Sequence, residues 1–230
     1  MLGSLPVARQ QRRWTAAAYF VLGLSISYKV VPIVMAPFLL LGEWQEAGRR
    51  LRPALTGAGW IALGAGLPFL AHAPTAGWSP FYLFLFHSER PVQAESFWAT
   101  LLMIASFFGL PIEYSMSHGA HAVTSRWTPW PEIGSGVMTL ASFAAAGLWA
   151  WRRKERYDRA CAYRLACASV GVALLWSKVF STTYLLWAMP LWLLLAAEVL
   201  PSRATVMVGL LLATSVIAAM TIYVCPHHFF

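Results

Sequence analysis

Apolar positions run through this chain in long stretches, and the short polar breaks between them define its predicted elements. The first run, Ala16 to Leu41, is interrupted by Lys29 and carries Pro32 and Pro37. Further runs follow at Leu55 to His72, from about Pro131 to Trp151, and at Ala160 to Trp176, Tyr184 to Leu200 and Ala204 to Cys225. Each reaches the roughly 17 residues with which an α-helix can begin to cross a hydrocarbon core. Ser96 to Ile112 is apolar but sits at that lower limit. The aromatic stretch Trp78 to Phe86 predicts a helix lying at the outer interface, where amphipathic rings concentrate. Glu113 to Trp130 is read as a polar loop.

Basic residues orient these runs, because Lys and Arg accumulate on the cytoplasmic side. Arg9, Arg12 and Arg13 precede the first run, and Arg49, Arg50 and Arg52 follow it. One straight span would put one of these clusters outside. The run is therefore predicted to break near Lys29 and Pro32 and to return as a re-entrant hairpin. Broken backbone at membrane depth is tolerated only where protein or a water-filled cavity surrounds it. Arg152, Arg153, Lys154 and Arg156 pin the end of the Pro131–Trp151 span inside. Ser96–Ile112 then starts outside without crossing fully, as a re-entrant segment or as half of a hairpin with Phe81–Phe86. The segment 87–96, the Lys178 turn and the Phe230 tail fall on the exterior. The expected fold class is all-α, a polytopic membrane helix bundle with short or re-entrant helices, forming a single membrane domain over residues 1–230.

Composition agrees with a membrane class. The chain is 59% hydrophobic and 11% charged, whereas soluble domains carry roughly a quarter charged residues. The formal charge of +8 raises nucleic acid as a partner, but the arginines form short clusters between apolar runs and no nucleic-acid-reading motif accompanies them. Cys161, Cys167 and Cys225 have no disulfide or metal spacing and read as packing residues. The arginines at 9–13 imitate a signal peptide. The run after them is too long, contains Lys29 and lacks a small-residue cleavage site, so no cleaved signal is expected. No repeat, low-complexity tract or soluble domain is visible.

Three polar features inside this apolar frame carry candidate chemistry. Lys29 lies in mid-run, where an ionisable residue faces a polar cavity or partner, or else snorkels or caps a broken helix. The exterior segment His87-Ser88-Glu89-Arg90-Pro91-Val92-Gln93-Ala94-Glu95-Ser96 is the richest polar cluster. Arg90 there can clamp a phosphate bidentately, and Glu95 or Glu89 can take a proton from an attacking hydroxyl if burial raises its pKa. The alternative is an ordinary solvated loop with an Arg90–Glu95 pair. Lys178, in the outer turn Trp176 to Trp187, can meet a lipid phosphate, with Tyr184 and Trp187 against its chain or a sugar ring. The alternative there is an aromatic belt with a snorkelling lysine.

His118 and His121 have helical i,i+3 spacing, and Cys225, His227 and His228 end the chain, but no further ligand stands at a suitable spacing, so no metal is expected. No glycine-rich phosphate loop and no Gly-x-Ser-x-Gly elbow occurs, which disfavours ATP-driven chemistry and serine hydrolysis.

Three segments together resemble a known family. Gly23-Leu24 with Lys29-Val30-Val31-Pro32 resembles a Gly-Leu…Lys-x-x-Pro helix. Arg90-x-x-Gln93-x-Glu95-Ser96 resembles an exterior Arg-x-x-Gln-x-Glu-Ser stretch, and Lys178-Val179-Phe180-Ser181-x-x-Tyr184-x-x-Trp187 a Lys-Val-x-Ser-x-Gln-Tyr-x-x-Trp turn. In this order they are similar to the bacterial polyprenol-phosphate-mannose-dependent mannosyltransferases of glycosyltransferase family 87. The first and third also look like the GPI mannosyltransferase that adds the first mannose. The likeness runs from about Ala16 to Leu200.

This resemblance implies a GT-C architecture with its site at the extracytoplasmic face. It also implies transfer of a sugar, mannose by analogy, from a polyprenyl-phosphate donor to an acceptor hydroxyl with inversion. By the same analogy Lys178 and Arg90 face the donor phosphate, while His87, Gln93, Tyr184, Lys29 and the Glu95 loop line or support the cavity. No cofactor is implied beyond the donor lipid. Two departures stand out. Thr183 replaces the family's glutamine before Tyr184. The acidic early exterior loop of GT-C enzymes also has no counterpart, since no acid precedes the first apolar run. The expected explanations are a C-terminal piece of a longer protein, a gene start placed too late, or a relative that no longer catalyses. The leading expectation is therefore a GT-C-type glycosyltransferase or the C-terminal part of one. The competing expectations are a non-catalytic membrane protein that binds a polyprenyl-phosphate lipid or stabilises a partner, and a transporter. The latter would predict inverted repeats that are not seen.

Overall fold

A computed structural model describes residues 5–77, 82, 89–153, 157–180, 183–199, 207 and 209. His87, the aromatic stretch Trp78–Phe86 apart from Tyr82, and most of the run Ala204–Cys225 lie outside the described residues. The elements are α1 (Leu5–Tyr28), a 3-10 helix (Val31–Met35), α2 (Ala36–Glu46), α3 (Leu51–Ala76), α4 (Phe97–Ser106), β1 (Glu113–Ser117), β2 (Ala120–Thr124), α5 (Pro129–Arg152), α6 (Arg159–Trp176) and α7 (Thr183–Val199). They form two compact units, one of residues 1–88 and 145–170, the other of residues 89–144 and 171–230.

In the first unit the leading apolar run does break at Lys29. An α-ladder continuing past Tyr28 would need the residue-32 amide to donate to Tyr28 O, and Pro32 has no N–H. The chain restarts as the 3-10 helix and then as α2, with Pro32 and Pro37 in their first turns, where a missing donor is harmless. It folds back on itself, because the Tyr19 hydroxyl donates to Leu39 O (3.3 Å).

Two glycines let α1 lie directly on α3. A β-carbon on Gly23 would stand 2.8 Å from Ala65 N and closer still to Ile61 O, and one on Gly64 would stand 3.0 Å from Leu24 N and closer still to Phe20 O. The contact is backbone on backbone, the form of helix association that small residues permit in membranes. The Gly23 of the family-like first segment thus has a packing role.

α2 lies on the 145–170 portion. The Tyr157 hydroxyl donates to Phe38 O (3.1 Å), Ser169 Oγ donates to Val34 O (3.1 Å), and the Trp44 and Trp151 rings stack 6.5 Å apart. Ala150, Tyr157 and Ala162 form the small buried core there, with Leu41, Cys161 and Leu165 against it. Burial pushes the Tyr157 phenol well above its ordinary pKa.

The second unit contains the main correction to an all-α expectation. Glu113 to Thr124 is not a loop but an antiparallel hairpin, β1 to β2, with Ser117 opposite Ala120. Its two turn residues, His118 and Gly119, have φ of 52° and 71°, which suits a two-residue type I′ connection. His118 and His121 are consequently in a turn and a strand and share no helix face. Residues 92–94 add a short third strand-like segment to β2, with Val123 N donating to Val92 O and Ala94 N to His121 O (both 2.9 Å). Sandwiching makes β2 the buried strand, and Val92, Ala99, Leu102 and Val123 form the core beneath it.

Among the described residues two helices, Leu51–Thr75 and Pro129–Arg152, are long and apolar enough to cross a membrane, with mean hydropathy 1.5 and 1.4. Only 17% and 6% of their apolar windows are buried, whereas the core helix of a soluble protein would be covered. Leu55, Leu63, Leu67 and Leu70 of α3 all stand exposed. By contrast α4 has 10 residues, a length of ~15 Å, too short to cross.

Candidate functional site

Ser96 begins the site by starting α4. Its side chain is fully buried and accepts from Ala99 N (3.1 Å), satisfying a first-turn amide as a helix cap does. The cap stops the preceding segment from entering the helix: residues 90–93 run beside β2, and a turn at 94–95, closed by Ser96 N donating to Gln93 O (2.9 Å), leads into α4. On the other side of that segment lies the turn after α6, where Gln93 N donates to Lys178 O (2.9 Å). One backbone hydrogen bond therefore joins the Arg90–Ser96 segment to the Lys178 turn.

The Lys178 turn is held from three directions. Ser177 Oγ accepts from Val179 N (3.1 Å) and donates to Val179 O (2.7 Å), closing the bend. Lys178 N donates to Ser135 Oγ (3.2 Å), and Lys178 Nζ lies 3.4 Å from Glu132 Oε1. Trp98 Nε1 donates to Trp176 O (2.7 Å), Trp176 Nε1 donates to Ser142 Oγ (3.0 Å), and Phe97 packs edge-on against both indoles. Gly134 makes room for this, since a β-carbon there would meet the Trp98 ring at 2.5 Å. Buried Tyr184 packs edge-on against Phe180 at 6.3 Å.

Polar atoms are buried at the junction. Gln93 is 3% exposed, and its Oε1 accepts no hydrogen bond among the described residues. Arg90 Nε and Glu95 Oε2 are also buried atoms. Leaving a buried acceptor unmade costs about 1–3 kcal/mol, so such an atom marks a position where a donor from outside the chain would be stabilising. Glu95 is half-buried in this segment, whereas Glu89 is exposed.

Of the residues singled out from sequence, Arg90, Gln93, Glu95, Lys178 and Tyr184 belong to this unit, together with exposed Glu89. Lys29 belongs to the other unit, half-buried past the end of α1 with its amide donating to Ser25 O (2.9 Å). His87 lies outside the described residues. Sequence reasoning missed Glu132 and Ser135. Their signal was an acid in the first turn of an apolar helix with a serine on the same face one turn later. It pointed to Lys178 only once the hairpin and the turn had been placed. The Glu132–Lys178 pair is partly exposed, 41% and 19% by side chain, and a pair of that kind is worth about 0–1 kcal/mol. A phosphate can displace it at little cost.

A sequence profile described as glycosyltransferase family 87 matches residues 1–182 of the chain. The matched range contains the first two segments and Lys178, and stops before Thr183 and Tyr184. No curated protein and no solved structure matches the chain.

Proposed function

Because the chain belongs to glycosyltransferase family 87, we propose that it transfers a hexose, mannose by the family's pattern, from a polyprenyl-phosphate donor to an acceptor at the extracytoplasmic face of a multi-pass cell-membrane bundle. The whole chain forms one membrane domain of GT-C type. The observation that carries this reading is the hydrogen bond from Gln93 N to Lys178 O, which brings together the segments bearing the cations and carboxylates that the reaction needs.

In that reaction the acceptor oxygen attacks the anomeric carbon from the face opposite the phosphate. The new C–O bond forms as the anomeric C–O(phosphate) bond breaks, polyprenyl phosphate departs with the electron pair, and the acceptor proton passes to a carboxylate. Lys178 and Arg90 stabilise the charge growing on the phosphate. Glu95, in the segment joined to the Lys178 turn, is the first candidate for the proton acceptor, with Glu89 next. Gln93 Oε1 receives a sugar hydroxyl, and Tyr184 supports the wall through Phe180.

The test is transfer from a polyprenyl-phosphate mannose donor by wild type, Lys178→Ala and Glu132→Gln. Removing one charged hydrogen-bond partner of the phosphate costs about 1.5–3 kcal/mol, so Lys178→Ala should slow transfer roughly 10- to 150-fold. Glu132→Gln removes the carboxylate 3.4 Å from Lys178 Nζ and should leave transfer intact with a lower donor KM. Equal transfer by wild type and Lys178→Ala would remove Lys178 from the site. Lipid binding without transfer in wild type would favour a non-catalytic polyprenyl-phosphate binder.

A further inference from the structure

A second polar site stands in the first unit, and none of the residues assigned a role in transfer lines it. α1, α2, α3 and the start of α6 line an open cavity of about 740 Å³. Its walls include Tyr19, Glu43, Glu46, Arg50, Arg52 and Arg159, with Trp60 deeper along α3.

The charges are arranged unequally. Arg159 is paired with both acids of the α2 wall, at 3.4 Å from Glu43 and 2.8 Å from Glu46. Arg50 and Arg52, on the α3 wall, are both exposed and have no carboxylate partner among the described residues. Three arginines against two glutamates leave the lining one positive charge in excess. The same wall is the start of the 26-residue α3, whose N-cap, Arg50, is extended and supplies no side-chain cap. The first-turn amides thus add partial positive charge at the same place. An anion is the ligand complementary to this wall.

The rest of the wall says what is attached to the anion. Arg52, Thr56 and Trp60 follow at one-turn spacing along α3, and Leu63 and Leu67 continue that face with 48% and 46% exposure. From Arg52 to Leu67 is ~22 Å along the axis, and this part of α3 lies within the helix able to cross a membrane. A phosphate held at Arg52 thereby has an apolar, outward-facing track of leucines running from it into the hydrocarbon. A water-soluble phosphate would make no use of that track.

We infer that this cavity binds the phosphate headgroup of an anionic membrane phospholipid, held by Arg50 and Arg52 at the start of α3, with its acyl chains along Trp60, Leu63 and Leu67. Basic pockets between helices at the arginine-rich end of a bundle are suited to such headgroups. The site is independent of the transfer reading and serves as a structural lipid clamp on the α1–α2–α3 hairpin.

The test uses the purified full chain in a neutral detergent, titrated with phosphatidylglycerol, phosphatidylcholine or glycerol phosphate, reading affinity and the thermal midpoint. Wild type should bind phosphatidylglycerol saturably and gain thermal stability, while phosphatidylcholine and glycerol phosphate give no comparable shift. The double variant Arg50→Gln/Arg52→Gln, whose side chains are exposed, should bind phosphatidylglycerol about 30-fold more weakly, at the usual contribution of a basic residue beside an anionic lipid. Arg152→Gln/Arg153→Gln removes the same charge outside the cavity and should bind like wild type. Unchanged affinity in the Arg50/Arg52 variant would overturn the proposal. So would equal loss in both variants, which would mean general charge attraction, or equal protection by glycerol phosphate, which would mean a soluble ligand.

Discussion

Gln93→Met separates a residue kept for folding from one kept for a ligand. The side chain is 3% exposed with an Oε1 that accepts no hydrogen bond among the described residues. Methionine preserves the length and flexibility of the side chain but removes the amide. The backbone bond from Gln93 N to Lys178 O (2.9 Å) does not involve the side chain and should survive. Removing an unmet buried acceptor relieves about 1–3 kcal/mol. At the 2–4 °C per kcal/mol typical of domains this size, the thermal midpoint should rise by a few degrees. Transfer should move the other way. Loss of one hydrogen bond from a sugar hydroxyl, about 0.5–1.5 kcal/mol, corresponds to a roughly 2- to 13-fold slower reaction. Thermal unfolding in detergent and transfer from a polyprenyl-phosphate sugar read the two effects on one preparation. A lower midpoint with unchanged transfer would refute the reasoning, because it would make the amide a structural group.

Two further predictions concern the first unit. Gly64→Ala should destabilise by about 1–3 kcal/mol, because the new methyl meets the α1 backbone and forces two packed helices apart. Gly66→Ala on the same helix meets nothing within 4 Å and should be neutral or stabilising, so equal midpoints for the two variants would count against the crossing. Tyr157 is buried in its neutral form, with a folded pKa raised above the ordinary value of about 10. Its contribution is complete below that pH and is lost as pH rises above it, where only the unfolded phenol readily ionises. Tyr157→Phe, although it lacks the bond to Phe38 O, should lose stability less steeply than wild type between about pH 10 and 12 in a chemical-denaturation series.

Much of the helical frame was readable because apolar length and proline position act locally. The break after Tyr28 follows from Pro32, whose missing donor sits four residues later in the ladder, and no distant contact is needed to predict it. α3 and α5 were visible as apolar runs with arginines at one end, and α4 as part of Ser96–Ile112, which the parity of the basic clusters kept from crossing fully. The hairpin at Glu113–Thr124 was not visible. Its strands are short, its turn is His118-Gly119 in place of the commoner Asn-Gly, and β2 gains its burial from residues 92–94 rather than from its own pattern.

By itself the sequence determined that the chain is apolar and mostly helical, and which family it resembles. It also supplied the residues at issue, Arg90, Gln93, Glu95, Lys178 and Tyr184, since charge and hydrogen-bonding capacity are properties of single side chains in an apolar setting. Only the tertiary structure decided which of them meet. It set Gln93 against Lys178, gave Lys178 the partner Glu132, left Lys29 in another unit, and put Arg50 and Arg52 on the wall of an open cavity. The reason is physical: periodicity and helix breaking are short-range effects encoded within a few residues. Which polar groups meet depends instead on backbone hydrogen bonds and glycine contacts between residues far apart in the chain, and those form only when the chain has folded.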